Sequence, residues 1–318
     1  MKQKLLYLFT RTPLHVGAGA SVGAIDQPII REKHTGFPLI PASSLKGTFA
    51  DAWNGGLLEE ESGSGEIKRV RVKKDGTTSD AAWLFGSDSD KHAAAGALQF
   101  CEARLLAFPI RSAKGSFAWV TCPLMLQRAA RDSAIPMALI QNLPEPKDEE
   151  AIFVAGAGGR LDLGGQIVLE EYTFKLANGW PGLTNLGEAF AALLPGEPVW
   201  AEIKDRLVIL SNGMMSFFAK NACEIAQHVR ISDETGTAEG GALFNQENVP
   251  SESFFYAVLH VFDERTANKA RENGRKAGEA IKAFKDVVGD KVFQFGGDAS
   301  TGLGYSTVTL DEHGEAQA

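Results

Sequence analysis

Asp26-Gln-Pro-Ile-Ile-Arg-Glu-Lys-His-Thr-Gly-Phe-Pro-Leu-Ile-Pro-Ala-Ser-Ser-Leu-Lys46-Gly47 links a first strand to a first helix, and its reading organises the rest of the chain. Pro28, Pro38 and Pro41 hold the backbone extended or turning. Ser43 or Ser44 is expected to cap a helix that runs through Trp53. Upstream, Lys4 to Thr12 is apolar and β-rich and stops at Pro13. The N-terminus lacks an extended apolar region and a small-residue cleavage site, so it reads as this strand and not as a signal peptide. Gly17 to Gly23 is flexible loop chemistry.

Downstream, residues 54–82 are rich in Gly, Ser, Glu, Lys and Asp and are expected to form a mobile loop. Ala97 to Phe108 reads as a buried strand, Phe117 to Arg131 as a helix, and 132–150 as a Pro-rich acidic connection. Ile167 to Leu176 alternates as a strand does, and Asn212 to His228 reads as a helix. Val229 to Phe244 reads as a hairpin turning at Asp233-Glu-Thr-Gly236. Phe254 to Phe262 is a strand, Glu264 to Val288 an amphipathic helix, and Val292 to Phe295 a strand. The glycine-rich stretch Phe295 to Gly304 then leads to a last strand, Tyr305 to Leu310. This order predicts an α+β fold: a ferredoxin-like core with long insertions and helices on one face of the sheet.

The chain has 318 residues, 44% of them hydrophobic, as in an ordinary globular protein. No apolar run approaches the ~20 residues of a membrane span. Cys101, Cys122 and Cys223 make no metal or disulfide pattern, which fits a reducing cytoplasm. The net charge of −8 excludes an evenly basic nucleic-acid-binding surface. Any such surface must be local. Residues 28–50 supply one candidate, with Arg31, Lys33 and Lys46 against Glu32 alone.

Several residues are placed to do chemistry. Asp26 follows a glycine-rich loop and precedes a proline, a setting that displays an acid at the surface to hold a divalent ion or polarise a hydroxyl. His15 lies eleven positions earlier, within reach through a folded-back loop, and suits proton transfer. Arg31, Lys33 and His34 are candidate phosphate contacts. So are Ser43, Ser44 and Lys46, where a helix start offers free N–H groups and a point charge. The spacing is not that of a phosphate loop of the GxxxxGK[ST] type, which excludes that route to nucleotide hydrolysis. Gly296, Gly297, Gly302 and Gly304 allow close approach of a sugar-phosphate chain, between strands and not at a helix start, unlike a dinucleotide fingerprint. Arg111 and Lys114 form a basic turn beside Phe117 and Trp119, a mixture suited to single-stranded RNA.

The run from His15 through Asp26 to Lys46 resembles the backbone subunit of the Cmr complex, the type III-B CRISPR effector, within the repeat-associated mysterious protein (RAMP) superfamily. The likeness extends through Gly96-Ala-Leu-Gln-Phe, through Ala103-Arg-Leu-Leu-Ala-Phe-Pro-Ile-Arg-Ser-Ala-Lys-Gly, through Glu234-Thr-Gly-Thr-Ala-Glu-Gly-Gly-Ala-Leu-Phe and through the terminal glycine loop. It implies a single domain over 1–318, an RNA-recognition-motif-like palm with a protruding thumb hairpin at 228–245. It implies stacking of copies into a filament along a guide RNA (crRNA), together with other effector subunits. Each thumb would displace one nucleotide of the guide–target duplex. Single-stranded target RNA would be cut beside it through Asp26 with Mg2+ or another divalent cation, leaving a 2′,3′-cyclic phosphate and a 5′-hydroxyl. The resemblance makes His15 an accessory, and it marks the segment after the hairpin, here with Gln246, Glu247 and Asn248, as a site region. Three alternatives stand beside cutting: a structural RNA-binding filament subunit without catalysis, a monomeric guide-maturing enzyme using His15, and a small-molecule-binding α+β domain.

Overall fold

The computed structural model describes residues 1–19, 23–53, 57–61, 67–73, 79–87, 95–156, 159–177, 180–265 and 274–311. Four long strands give the fold its logic. Lys2–Thr10, Ala103–Ser112, Phe254–Val261 and Tyr305–Leu310 lie in the spatial order fourth, first, third, second, each antiparallel to its neighbour. Helices Ala42–Asp51 and Ala277–Val288 follow the first and third of them. This is the split β-α-β arrangement of a ferredoxin-like palm, as the order of elements predicts. Further short strands extend it to a twelve-stranded sheet, with Lys291–Gln294 at one edge.

The first strand shows why the sheet sits at the centre. Leu6 and Leu8 enter one core, and Leu5, Tyr7 and Phe9 enter the other, because successive side chains of a strand point to opposite faces. Helices Ala42–Asp51, Asn212–Asn221 and Ala277–Val288 pack into the first core, and Leu183–Ala192 and Ile203–Arg206 into the second. The expectation of helices on one face is therefore corrected. In the first core Phe49 meets the rings of Phe100, Phe284, Phe293 and Phe295 at centroid distances of 5.2–5.6 Å. Full burial of each such ring contributes roughly 1.5–3 kcal/mol.

Several local readings are revised. Ser116–Thr121 is a strand and only Pro123–Arg131 is helical. Its apolar run Phe117 to Val120 is buried at Ala118, Trp119 and Val120 successively, so strand and helix spacing cannot be told apart there. The strand read over Ala97 to Phe108 divides into Leu98–Phe100 and Ala103–Ser112, and Ile167 to Leu176 is a tight pair, Gln166–Leu169 with Tyr172–Leu176. The helix from Asn212 stops at Asn221, and Glu224–Ile231 is a strand. The last helix covers Ala277–Val288 only, and Ala270 lies outside the described residues.

Within 54–82, Leu57–Glu61 pairs antiparallel with Ile67–Lys73, and a buried helix, Asp80–Phe85, begins at Ser79, so these parts are ordered structure and not loop. The rest of that segment lies outside the described residues. Among the described residues no helix is long and apolar enough to cross a membrane. Cys101, Cys122 and Cys223 are free thiols. Burial pushes the Cys122 thiol up to about 12, which makes it inert.

Candidate nucleic-acid interface

The hairpin of Glu224–Ile231 and Ala238–Asn248 forms a two-stranded sheet separate from the main one. It turns at Asp233 to Gly236 and leaves Ile225, Val229, Ile231 and Leu243 about half exposed or more. The C-terminal end of its second strand is the floor of the site, because two loop segments pair with it. Leu14 exchanges backbone hydrogen bonds with Val249 at 2.8 and 2.9 Å. Gln27 donates to the Asn245 carbonyl at 3.1 Å and accepts from the Glu247 N–H at 2.9 Å.

Asp26 is exposed and clipped to this stem. Its N–H donates to Asn245 Oδ1 at 2.8 Å, and its Oδ2 accepts from the Asn245 N–H at 2.9 Å. Asn245 Nδ2 also donates to the Ala24 carbonyl at 3.0 Å. One carboxylate oxygen is thus used to fix the residue, and no described residue occupies Oδ1.

His15 comes to the same strand but is buried, 8% exposed. Its Nδ1 lies 2.7 Å from the Glu247 carbonyl, an acceptor only, so Nδ1 carries the hydrogen. Nε2 faces Gly17, where a Cβ would stand only 3.0 Å away. The glycine loop packs on the other side of His15. Gly296 has φ of +80°, and a Cβ there would lie 2.0 Å from the His15 carbonyl oxygen, so both conformation and space demand glycine.

That packing corrects the role given to three of the loop's glycines. The N–H groups of Gly297 and Gly304 donate to the carbonyls of His15 and Pro13, and that of Gly302 to Ala299. They close the loop on the protein and are not free for a phosphate. Gln294 Nε2, with two hydrogens to give, lies 3.1–3.2 Å from four carbonyls of the same loop.

Arg31 is corrected too. Its guanidinium is 17% exposed and pairs at 2.5 Å with Glu247, whose side chain is 4% exposed. It also donates to the carbonyls of Gly36 and Ala219 at 2.8 and 2.5 Å. Arg31 therefore ties the loop to the hairpin stem and to helix Asn212–Asn221. Glu247 is fully used, since its other oxygen accepts the Ile29 N–H at 3.0 Å.

Lys33 and His34 are exposed, on the rim of a cavity of about 420 Å3 that also takes Arg104, Arg128 and Arg131 against Glu32 and Glu102. Most of these cations are ion-paired, Arg128 with Glu32, and Arg104 and Arg131 with Asp132. Burial would raise the Glu32 carboxyl, but hydrogen bonds from Thr35 and Arg128 and the Arg128 charge hold it below the usual range. Ser43 and Lys46 are exposed on helix Ala42–Asp51, while Ser44 is half-buried. The N-cap is Pro41, with no side-chain capping bond, so neither serine caps. The helix docks beside the strand entering the glycine loop, with Thr48 donating to the Gln294 carbonyl at 3.3 Å.

Arg111 and Lys114 lie apart, Arg111 near the end of strand Ala103–Ser112 and Lys114 in the turn to Ser116–Thr121. Arg111 pairs with Glu170 at 2.8 Å, and Lys114 donates to the Asp162 carbonyl at 2.6 Å. No described contact joins either to the Asp26 loop.

Sequence reasoning marked Gln246 only as part of a segment and did not find its partners Asp298 and His228. Gln246, 1% exposed, donates to Asp298 at 2.5 Å and to Gln27 at 3.4 Å, and its oxygen faces His228 at 3.1 Å. Among the described residues, no three His, Cys, Asp or Glu side chains gather as a metal cage. One free carboxylate oxygen suits a cation that takes its remaining ligands from phosphate and water, and not a resident ion in a protein cage.

Comparisons with known proteins agree with this architecture. The family model of the RAMP superfamily matches residues 8–307. The CRISPR system Cmr endoribonuclease Cmr4 of Pyrococcus furiosus is 31% identical over 313 residues, which are 98% of this chain and 97% of that protein. The crystal structure of oligomeric Cmr4 from Pyrococcus furiosus superposes with a TM-score of 0.67 at 26% identity, covering 98% of each chain. A chain of the type III-B Cmr-beta complex bound to cognate target RNA, at 21% identity and a TM-score of 0.66, covers 98% of this chain and 97% of its own length and shares the fold. Palm, hairpin and nearly full-length likeness converge, and the chain belongs to the RAMP superfamily.

Proposed function

We propose that this protein is a guide-RNA-binding backbone subunit of a type III-B CRISPR effector and that it cuts target RNA through Asp26. The observation that carries the reading is the clip between Asp26 and Asn245. It presents a free carboxylate oxygen at the base of a protruding hairpin, where a nucleotide pushed out of a duplex by the hairpin would rest. Its partners would be a crRNA, single-stranded target RNA, further copies of itself in a filament and other effector subunits, in the cytoplasm. The full-length relationship to a Cmr endoribonuclease supports both the assembly and the activity.

The chemistry asks little of the protein. RNA carries its own nucleophile, the 2′-hydroxyl next to the phosphate. Attack yields a 2′,3′-cyclic phosphate and releases a 5′-hydroxyl. The residues need only align the sugar and stabilise charge. Asp26 Oδ1 would bring its negative charge to this centre, against the cation that accompanies the phosphate. A divalent cation, Mg2+ or another, would arrive with the RNA phosphates, with Asp26 as its protein ligand, and would neutralise phosphate charge. His15 acts as a support, since its polar atoms face Glu247 and Gly17.

The test is direct. Protein assembled on a guide RNA is given an end-labelled complementary RNA. A ladder of fragments at constant spacing, ending in cyclic phosphate, is expected; an uncut target in the presence of a divalent ion rejects the reading. Exposed Lys46 and Lys33 are assigned to phosphate contacts. Lys46→Ala should weaken RNA binding equally for all sequences and lower the salt slope by about 1. Filter binding across a salt series measures this, and a change confined to one base would reject the phosphate role.

A further inference from the structure

The hydrogen bonds around Gln246 settle the state of a second imidazole. Gln246 Nε2 donates to Asp298 Oδ2 at 2.5 Å. A carboxylate only accepts, so the amide nitrogen must point to Asp298 and the amide oxygen to His228, whose Nε2 is 3.1 Å away. That oxygen also only accepts, so the hydrogen of His228 is on Nε2. In the neutral ring the lone pair is then on Nδ1. The ring is held in orientation as well, stacked on Phe244 with centroids 5.0 Å apart and planes 18° apart. His15 has the opposite arrangement, with Nδ1–H bonded and its lone pair against Gly17. His228 is half-buried, and its strand register places it across from Phe244, next to the Asn245 that clips Asp26. Asp298 holds a left-handed φ of 61°, a conformation costly for a non-glycine residue and retained where geometry matters.

We propose that His228 is the general base of the RNA cleavage set out above, with Gln246 and Asp298 as positioning residues; this rests on that cleavage reading. His228 Nδ1 takes the proton of the target 2′-hydroxyl. The 2′-oxygen forms a bond to the adjacent phosphorus, and the bond from phosphorus to the 5′-oxygen breaks. The departing 5′-oxygen takes a proton from water, and the imidazolium returns its proton to the resulting hydroxide. Asp298, acting through Gln246, fixes the tautomer that leaves Nδ1 free.

Among the described residues, the charged or titratable groups on the segments around the ring are Asp298, Asp26, Arg31, His15, Glu247 and, on its own strand, Glu224 and Arg230. The experiment compares wild-type protein, His228→Gln, His228→Ala and Asp26→Asn, each assembled on guide RNA, in single-turnover target cleavage from pH 5 to 9. Gln keeps an N–H for Gln246 and removes the base. His228→Gln should cut about 10²–10³-fold more slowly with unchanged guide binding. It should also change the shape of the pH–rate profile. Added imidazole should restore part of the rate to His228→Ala, which separates chemistry from misfolding. If the wild type cuts, Asp26→Asn does not, and His228→Gln keeps the wild-type rate and pH profile, this inference alone falls. If the wild type leaves the target whole, or Asp26→Asn still cuts, the cleavage reading itself falls.

Discussion

Asp26→Asn should lower target cleavage about 10²–10⁴-fold and leave assembly and guide binding at the wild-type level. The substitution is well matched to the geometry. The Asp26 carboxylate accepts the Asn245 N–H through Oδ2, and an asparagine oxygen in the same place accepts it equally. The backbone N–H of residue 26 still donates to Asn245. The clip survives and the charge is lost. Residue 26 is exposed, so the exchange of charge for amide costs the fold little. Gel analysis of a labelled target, with guide binding measured in parallel, is the check. Cutting at an undiminished rate would remove Asp26 from the reaction.

Arg31→Ala should destabilise the protein by about 3–5 kcal/mol, because it strands a buried carboxylate. Glu247 would keep only the Ile29 N–H, and the carbonyls of Gly36 and Ala219 would lose a donor. Removing the stranded charge as well should recover part of the loss, so Arg31→Ala with Glu247→Gln should be more stable than Arg31→Ala alone. Urea unfolding of the wild type and the two variants measures this. A stable Arg31→Ala protein with weakened, less salt-dependent RNA binding would return Arg31 to the phosphate contacts that its neighbours in sequence suggest.

The palm was legible because its strands are strongly apolar and its elements follow one another in a simple order. Tyr305–Leu310 and Phe254–Val261 stand out for this reason, and so does the acid Asp26 between glycine and proline. What was hidden is non-local or lies in the hairpin. The pair of Arg31 and Glu247 spans 216 positions of chain, and no local pattern announces it. Glu224–Ile231 was hidden differently. Its apolar residues Ile225, Val229 and Ile231 share an exposed face and enter neither core, so its weak period-two pattern reads equally as the continuation of the helix before it, through His228. The glycine loop misled in the opposite direction. Its composition matches a phosphate cradle, yet its amides close on His15 and Pro13.

One strand, Ala238–Asn248, carries both the tip region of the hairpin and the residue that holds Asp26. From Leu243 to Asn248 it pairs residue for residue with the strand opposite, and at about 3.3 Å per residue this stem acts as a caliper. If the proposed cleavage holds, the separation between the point where a duplex would be pried open and the point where its backbone would be severed is set by covalent geometry. Repeated along a row of identical copies, such an offset would turn the spacing of the subunits into the spacing of the breaks.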